Sequence, residues 1–295
     1  MTSLKPIGLY QGTEGMTAAA AAEFARRVEA WGYGTLWVSE GAGRNVLVHA
    51  AWLLSQTRSL VLATGIANIY GRDPLSAAAA GATLAEQSGG RFLLGLGVSH
   101  APLVEGLRHH AYGPPIETMR AYLEGMAGSL YMAPKPAAPT PVVLGALGPR
   151  MLALAGELAD GAHPYHATPE HTARARAILG PGKLLCPEQA VLLETDPAKA
   201  RAAARQALGV YIGLVNYRNN WMRLGFTTDD FENGGSDRLV DAVVAWGDED
   251  ALRARIQAHL DAGADQVCVQ GLAPLGSPPG VIAEEALALL APVRS

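Results

Sequence analysis

Residues 34–65 read GTLWVSEGAGRNVLVHAAWLLSQTRSLVLATG, two short apolar runs on either side of a segment of helix length. The runs predict strands over Thr35–Ser39 and Leu60–Gly65, and the segment between them predicts a helix over Val46–Gln56. A helix between two strands indicates a parallel pair, because parallel strands need a long crossover connection. We therefore expect this strand–helix–strand unit to be the building block of the fold.

The same alternation continues toward both ends of the chain. Further helices are predicted over Ala18–Trp31, with Thr17 as its N-cap, Leu75–Ser88 and Ile116–Leu130. Eight strands separated by helix-length sequence favour a closed (β/α)₈ TIM barrel of the α/β class over an open sheet. The six remaining strands are predicted at Pro6–Tyr10, Phe92–Val98, Val142–Leu144, Gly161–His163, Gln189–Glu194 and Gln266–Gln270.

The 295 residues are predicted to form one domain, residues 1–295, because no change of composition or flexible linker divides them. Two insertion segments, about residues 100–141 and 211–248, lengthen the barrel. The first begins with a stretch that predicts a long loop over His100–Pro115. The second contains the apolar run LVDAVVAW at 239–246, which predicts a helix.

Composition excludes several classes of partner. The net charge of −4 and the scattered Lys and Arg residues argue against nucleic acid. No run reaches the roughly 20 apolar residues that cross a bilayer, and the N-terminus lacks a signal-peptide core, so we expect a cytoplasmic protein without membrane association. Cys186 and Cys268 lie in apolar segments without CxxC spacing, which predicts reduced, buried thiols.

Several common catalytic motifs are absent from the sequence. The GxG at Gly95–Gly97 is no dinucleotide fingerprint, because His100 stands where the third glycine belongs. His163 and His166 lack an obvious carboxylate partner, so no metal site is expected. No GxSxG occurs and neither cysteine has a histidine near it in sequence, which leaves covalent catalysis without a candidate.

Barrel enzymes carry their reacting groups on loops after the strands, so polar residues at those positions are the candidates. Glu40 follows the second strand and His100 follows the fourth; each could transfer protons, or could be a solvated or structural side chain. The turn Gly148-Pro149-Arg150 follows the fifth strand. Its free helix N–H groups and the Arg150 charge suit an anion, but an ordinary tight turn would have the same sequence.

Five motifs resemble the luciferase-like monooxygenase superfamily, and within it the branch of oxidoreductases that use the deazaflavin coenzyme F420. These motifs span most of the chain in the family's order. They are LATGIANIYGRDP (62–74), RFLLGLGVSH (91–100), VVLGALGPRML (142–152), ADGAHPYHATPEH (159–171) and GGSDRLVDAVVAWGD (234–248).

The resemblance implies a cofactor ring across the mouth at the C-terminal ends of the strands. It also implies a non-proline cis peptide between Gly65 and Ile66, which makes a bulge behind the ring. The cofactor-binding residues that it implies fall into three groups. They are Thr64, Gly65, Ile66 and Asn68 behind the ring, Gly97, Val98, Ser99 and His100 beside it, and Ala146, Leu147, Gly148 and Pro149 at the phosphate, with Arg150 adding charge.

The implied activity is hydride transfer between coenzyme F420 and a small-molecule substrate by a homodimer, with Glu40 or His100 handling the proton. An FMN-dependent monooxygenase of the same fold is the alternative, and a non-catalytic flavin-binding paralogue is a third. Related sugar-phosphate dehydrogenases carry Ser-Asp-His where this chain has Ser39-Glu40-Gly41. Because that histidine is missing, a sugar phosphate is not expected as substrate.

Overall fold

A computed structural model describes residues 4–278 and 280–292. The strands are β1 (Ile7–Tyr10), β2 (Thr35–Val38), β3 (Val61–Thr64), β4 (Ala67–Asn68), β5 (Phe92–Gly97), β6 (Val142–Leu144), β7 (Gly161–Ala162), β8 (Leu184–Leu185), β9 (Glu188–Leu193), β10 (Val244–Gly247) and β11 (Val267–Gly271). The helices are α1 (Ala18–Ala30), α2 (Val46–Gln56), α3 (Pro74–Ser88), α4 (Ala101–Gly106), α5 (Pro115–Ala127), α6 (Pro149–Leu158), α7 (Pro169–Leu179), α8 (Pro197–Ile212), α9 (Val215–Arg223), α10 (Asp237–Val243), α11 (Glu249–Asp261) and α12 (Glu284–Leu289). Two 3₁₀ segments lie at Ile69–Gly71 and Thr228–Gly234.

The strands form one parallel sheet in the order β10-β9-β11-β1-β2-β3-β5-β6-β7-β8, and β4 pairs with β5. Since β8 and β9 follow each other within residues 184–193, the two ends of this order meet. The Cys186 N–H donates to Ala162 O at 2.9 Å, and the Cys268 N–H donates to Pro187 O at 2.8 Å, so the segment is bonded on both edges. The predicted (β/α)₈ barrel is confirmed. The seventh strand, predicted over Gln189–Glu194, begins earlier than predicted, because β8 precedes β9 and β9 begins at Glu188.

Two local predictions were wrong. Val244–Gly247 is strand β10, because helix α10 ends at Val243 and the next residues join β9, with Val244 opposite Ala190. The β-branched and aromatic residues of this run suit a strand edge as well as a helix face. The segment predicted as a loop after His100 contains the short helix α4, which begins with a proline in its first turn.

The barrel interior is a packed core. Buried side chains of six strands pack together inside it. Trp37 of β2 is fully buried, and its indole N–H donates to Gln266 Oε1 at 2.9 Å. Cys186 and Cys268 are buried free thiols in the same cluster, as predicted. A larger cluster between the strands and the surrounding helices completes the core. In the described part of the chain, no helix has the length and apolar character needed to cross a membrane.

Candidate active site

A bulge follows strand β3 at the mouth of the barrel. Thr64 ends the strand, and its hydroxyl donates to Gly95 O at 2.7 Å and accepts from the Gly95 N–H at 2.8 Å. The peptide between Gly65 and Ile66 is cis, which confirms the expectation from the family resemblance. Ile66 then lies against Gly97, where a Cβ would come within 2.5 Å of its side chain. Any larger residue at position 97 would force the Ile66 side chain to move, because that side chain occupies the space of a Cβ.

Glu40 is held by a buried ion pair. Its carboxylate accepts from both terminal nitrogens of Arg72, the Nη1 contact with Oε2 being 2.9 Å, and Oε2 also accepts from the Asn68 N–H at 2.7 Å. The side chains of Glu40 and Arg72 are 4% and 8% exposed. Asn68 caps the 3₁₀ turn that follows, accepting from the Tyr70 N–H at 2.9 Å. This network fixes the loop behind the bulge and leaves both oxygens of Glu40 engaged.

The end of strand β5 forms a second side of the mouth. Val98, Ser99 and His100 are partly exposed, and Ser99 has a left-handed backbone conformation with φ 56°. Its carbonyl accepts from the Tyr112 hydroxyl at 3.2 Å. His100 stands at the start of α4, and burial lowers the pKa of its imidazole. The neutral imidazole is therefore able to accept a proton at the mouth.

The turn before helix α6 has the features of an anion site. Gly148 is the N-cap residue, and no side chain caps the helix, so the N–H groups of its first turn are available to a ligand. Leu147 is fixed from behind, because its carbonyl oxygen lies 2.9 Å from His171 Nε2. Ala146 is buried under the turn. A phosphate would meet backbone donors here without displacing a side chain.

The positive charge near this turn comes from a residue that the sequence did not single out. Arg223 of α9 places Nη1 3.6 Å from the position that a Cβ on Gly148 would take. Its carbonyl accepts from Arg174 Nη1 at 2.6 Å, which brings a second guanidinium into the area. Arg150 instead pairs with Glu117 at 3.2 Å on an exposed surface. The structure therefore directs Arg150 to a surface ion pair and brings Arg223 over the turn.

A cluster of aromatic and polar side chains lies next to the bulge, because Tyr10 donates to Gly65 O at 3.0 Å and its ring is 5.2 Å from that of Tyr165. Tyr165 and His166 follow β7, Tyr211 ends α8 and Tyr217 belongs to α9. Their rings are in mutual contact, with centroids 4.1 Å apart for Tyr165 and His166 and 5.1 Å apart for Tyr211 and Tyr217. His100 reaches the same cluster, 6.0 Å from Tyr217. We call this group the aromatic cluster.

The carboxyl of Glu188, at the start of β9, lies beneath the aromatic cluster. It is fully buried, and its Oε2 accepts from the His166 N–H at 2.8 Å. His166 Nδ1 is 3.6 Å from the same oxygen, but burial lowers the pKa of His166 to about 3 and raises that of Glu188 to about 8. The two groups are therefore a neutral pair at pH 7 rather than a salt bridge.

A parallel eight-strand barrel with a strand-end bulge at its mouth defines an α/β-barrel protein of the luciferase-like type. Residues 2–266 match the family model described as luciferase-like monooxygenase, so the chain belongs to the luciferase-like monooxygenase family. The resemblance found in the sequence is confirmed.

Three known proteins illustrate the relationship. A Mycobacterium tuberculosis protein named a coenzyme F420-dependent oxidoreductase is 27% identical, over 84% of this chain and 89% of its own length. The coenzyme F420-dependent tetrahydromethanopterin reductase of Methanopyrus kandleri shares the fold with a TM-score of 0.71, 20% identity and 98% coverage of both chains. The oxygenating component of 3,6-diketocamphane monooxygenase from Pseudomonas putida, solved with FMN, shares it with a TM-score of 0.69, 14% identity and 97% coverage of both.

Proposed function

We propose that this protein is an oxidoreductase that transfers a hydride between coenzyme F420 and a small organic substrate. The observation that carries the proposal is the combination of the bulge after β3 and the uncapped α6 turn beneath Arg223. The bulge offers a surface for a flat ring, and the α6 turn offers hydrogen-bond donors for a phosphate. Both belong to the same end of the barrel, because each follows the carboxyl end of a parallel strand.

The residues present fit a deazaflavin. Its ring would lie on Gly65 and Ile66, with Val98, Ser99 and His100 along one side, and its phosphate would contact the turn from Ala146 to Pro149. Arg223 replaces Arg150 in this assignment, because Arg150 is engaged with Glu117. Asn68 supports the bulge from behind, because its backbone N–H donates to Glu40 and its side-chain oxygen accepts from the Tyr70 N–H. A deazaflavin in this position supplies a two-electron hydride transfer.

Hydride transfer also needs a group that gains or loses the accompanying proton. We propose His100 and Glu40 for this work, and their surroundings rank them. His100 has a neutral imidazole at the mouth, whereas both oxygens of Glu40 already accept hydrogen bonds from Arg72 and Asn68. His100 is therefore the first candidate for proton transfer. Glu40 is expected to act mainly by positioning the loop behind the bulge.

The competing function is an FMN-dependent monooxygenase, favoured by the fold shared with the FMN-bound Pseudomonas putida protein. The named F420-dependent relative at 27% identity supports the deazaflavin instead. A fluorescence titration of the purified, cofactor-free protein with coenzyme F420 and with FMN decides between them. Tighter binding of F420 is expected. Equal or reversed affinities would refute the proposal, and sedimentation of the same sample tests the expected homodimer.

A further inference from the structure

A cavity of about 730 Å³ lies beside the mouth, between the turn Ile69–Gly71, the residues that follow α4 and the first half of α5. Pockets of about 300–1,000 Å³ are the usual size of small-molecule sites. Within the described chain, no residue assigned above to the ring or to the phosphate lines this cavity, which we call the outer cavity. Side chains of all three segments form its lining, among them Tyr70, Leu107, Arg108, His110, Thr118 and Tyr122.

Arg108 brings an unpaired positive charge to the outer cavity. Its guanidinium lies next to Gly71, with Nη1 3.2 Å and Cζ 3.6 Å from the position that a Cβ on Gly71 would take. In the part of the chain that the structure describes, this guanidinium has no ion pair and no hydrogen bond. Arg72 also lines the cavity, but its guanidinium is already bound to the Glu40 carboxylate. The Arg108 guanidinium is therefore available to an anion that enters the cavity.

Two hydroxyl groups of the outer cavity have protons to donate. The Tyr70 hydroxyl accepts from the Gly113 N–H at 2.9 Å, which leaves its own proton available. The Thr118 hydroxyl has no hydrogen bond among the described residues. The Asp73 carboxylate, which also lines the cavity, is engaged, because its oxygens accept from the Ser76 N–H at 2.9 Å and from the Ser76 hydroxyl at 2.5 Å. Available donors beside an engaged carboxylate favour an anionic ligand.

Other parts of the lining are apolar or aromatic. Ile69, Pro74 and Leu107 line the cavity, and Leu107 is 52% exposed although its side chain is apolar. The ring of Tyr122 is held in place, because its hydroxyl donates to Arg72 O at 3.0 Å. Apolar and aromatic side chains with a few polar groups among them are the usual lining of a small-molecule site. The body of the ligand is therefore expected to be apolar, and a flat ring suits the tyrosine side chains.

Tyr112 places the outer cavity next to the mouth. Its ring stacks on that of Tyr70, with centroids 5.8 Å apart and an angle of 28° between the planes. Its hydroxyl donates to Ser99 O at 3.2 Å, so Tyr112 joins a wall of the cavity to the residues after β5. A ligand in the outer cavity would lie beside the proposed ring site and outside it.

We propose that the outer cavity binds a small organic anion, a flat apolar body that carries a carboxylate or a phosphate monoester. The Arg108 guanidinium binds the anionic group, because its fork of N–H donors fits two oxygens of either group. The Tyr70 and Thr118 hydroxyls donate to the oxygens as well, and the body packs on Leu107 and Tyr122. This site goes beyond the proposed hydride transfer and does not depend on it.

Isothermal titration calorimetry of the cofactor-free protein with 2-naphthoate, 2-naphthyl phosphate and 2-naphthamide tests the proposal. The probes share one ring system, and only the amide is uncharged. At least one anion should bind the wild type more tightly than the amide, by roughly tenfold or more. The tighter anion identifies the head group as a carboxylate or a phosphate. Arg108→Gln should remove the preference for the anion, because Gln offers amide donors without a charge.

Arg223→Gln is the control, because it removes an arginine at the α6 turn and leaves the outer cavity unchanged, so its affinity for the anion should equal that of the wild type. Two results would overturn the inference at once: equal binding of anions and amide by the wild type, or equal anion binding by the wild type and Arg108→Gln. A loss in Arg223→Gln as large as that in Arg108→Gln would also overturn it, since the probe would then lie at the α6 turn. Near-ultraviolet circular dichroism verifies the fold of each variant. Because no cofactor is added, a failure here leaves the proposed function standing.

Discussion

The buried carboxyl of Glu188 makes the stability of the fold depend on pH. Its pKa rises from 4.5 to about 8 on burial, so between these values the folded protein holds a proton that the unfolded chain has released. Stability therefore falls as pH rises, by about 1.4 kcal/mol per pH unit and about 5 kcal/mol over the whole interval. The contribution of Glu188 to the free energy of unfolding is therefore greatest below pH 4.5 and is lost above pH 8.

Buried histidines produce the opposite trend at lower pH. Burial lowers the pKa of His163 to about 4, and of His166 and His259 to about 3, from 6.5. Each resists protonation in the fold, so stability falls as pH drops below 6.5. Because the unfolded histidines are still half protonated at pH 6.5, their contribution must be removed by comparison with a variant at position 188; Glu188 itself should account for a loss of about 2 kcal/mol between pH 6.5 and 8.

Equilibrium urea unfolding of the wild type and of Glu188→Gln, at pH 6.5 and 8, measures this loss. The variant keeps the size of the side chain but has no proton to exchange, so its free energy of unfolding should change by about 2 kcal/mol less than that of the wild type. Leu193→Ala is a matched control, because it alters the same strand at a half-buried apolar position and the dependence on pH should persist. Parallel pH profiles for the wild type and Glu188→Gln would refute the reasoning.

Three further predictions concern cofactor and proton. Arg223→Gln should weaken F420 binding by roughly tenfold or more, since a charge-assisted hydrogen bond contributes about 1.5–3 kcal/mol, while the control Arg150→Gln leaves the dissociation constant unchanged; equal effects would place the phosphate elsewhere. Gly148→Val should also weaken binding by about tenfold or more, because its side chain would stand between the α6 turn and Arg223, and unaltered fluorescence titration would contradict this. His100→Gln should lower turnover on a confirmed substrate while F420 affinity is kept, and full activity would exclude His100. Because burial lowers the pKa of His100, the wild-type rate should be independent of this group at pH 6.5 and above, and should fall only in more acidic solution, where the imidazole becomes protonated.

The sequence predicted the architecture well, because a parallel barrel repeats one simple unit. The predicted helix Val46–Gln56 agrees with α2 at both ends, where Asn45 caps the first turn with bonds to the N–H groups of Leu47 and Val48. The bulge after β3 was predictable only through the resemblance, since no local pattern distinguishes Gly65-Ile66 from an ordinary strand end. Val244 was misassigned because an apolar run does not itself distinguish a helix from a strand.

The candidate site was predictable only in part. Arg150 was a reasonable partner for the anion turn, but Glu117 lies one helix away and draws it to the surface, while Arg223 arrives from a segment some 70 residues later. Glu188 was missed because the predicted strand began one residue after it. The spacing of Cys186, Glu188 and Ala190 was the available signal, because alternate residues of a strand share one face. Such contacts depend on tertiary packing, which sequence spacing does not encode.

The segment at 184–193 pairs with β7 along its first half and with β10 along its second. The residues that follow β7 therefore lie outside the sheet, and this affects which side chains at the mouth can be substituted. Behind the bulge, the mouth is formed by the ends of strands that are hydrogen-bonded in the sheet, so few amino-acid substitutions are tolerated there. Tyr165, Tyr211 and Tyr217, beside the bulge, come from a loop and two helices and are not residues of the sheet. A library confined to these three positions should therefore alter which molecules are accepted while the barrel and its ring-binding half stay intact.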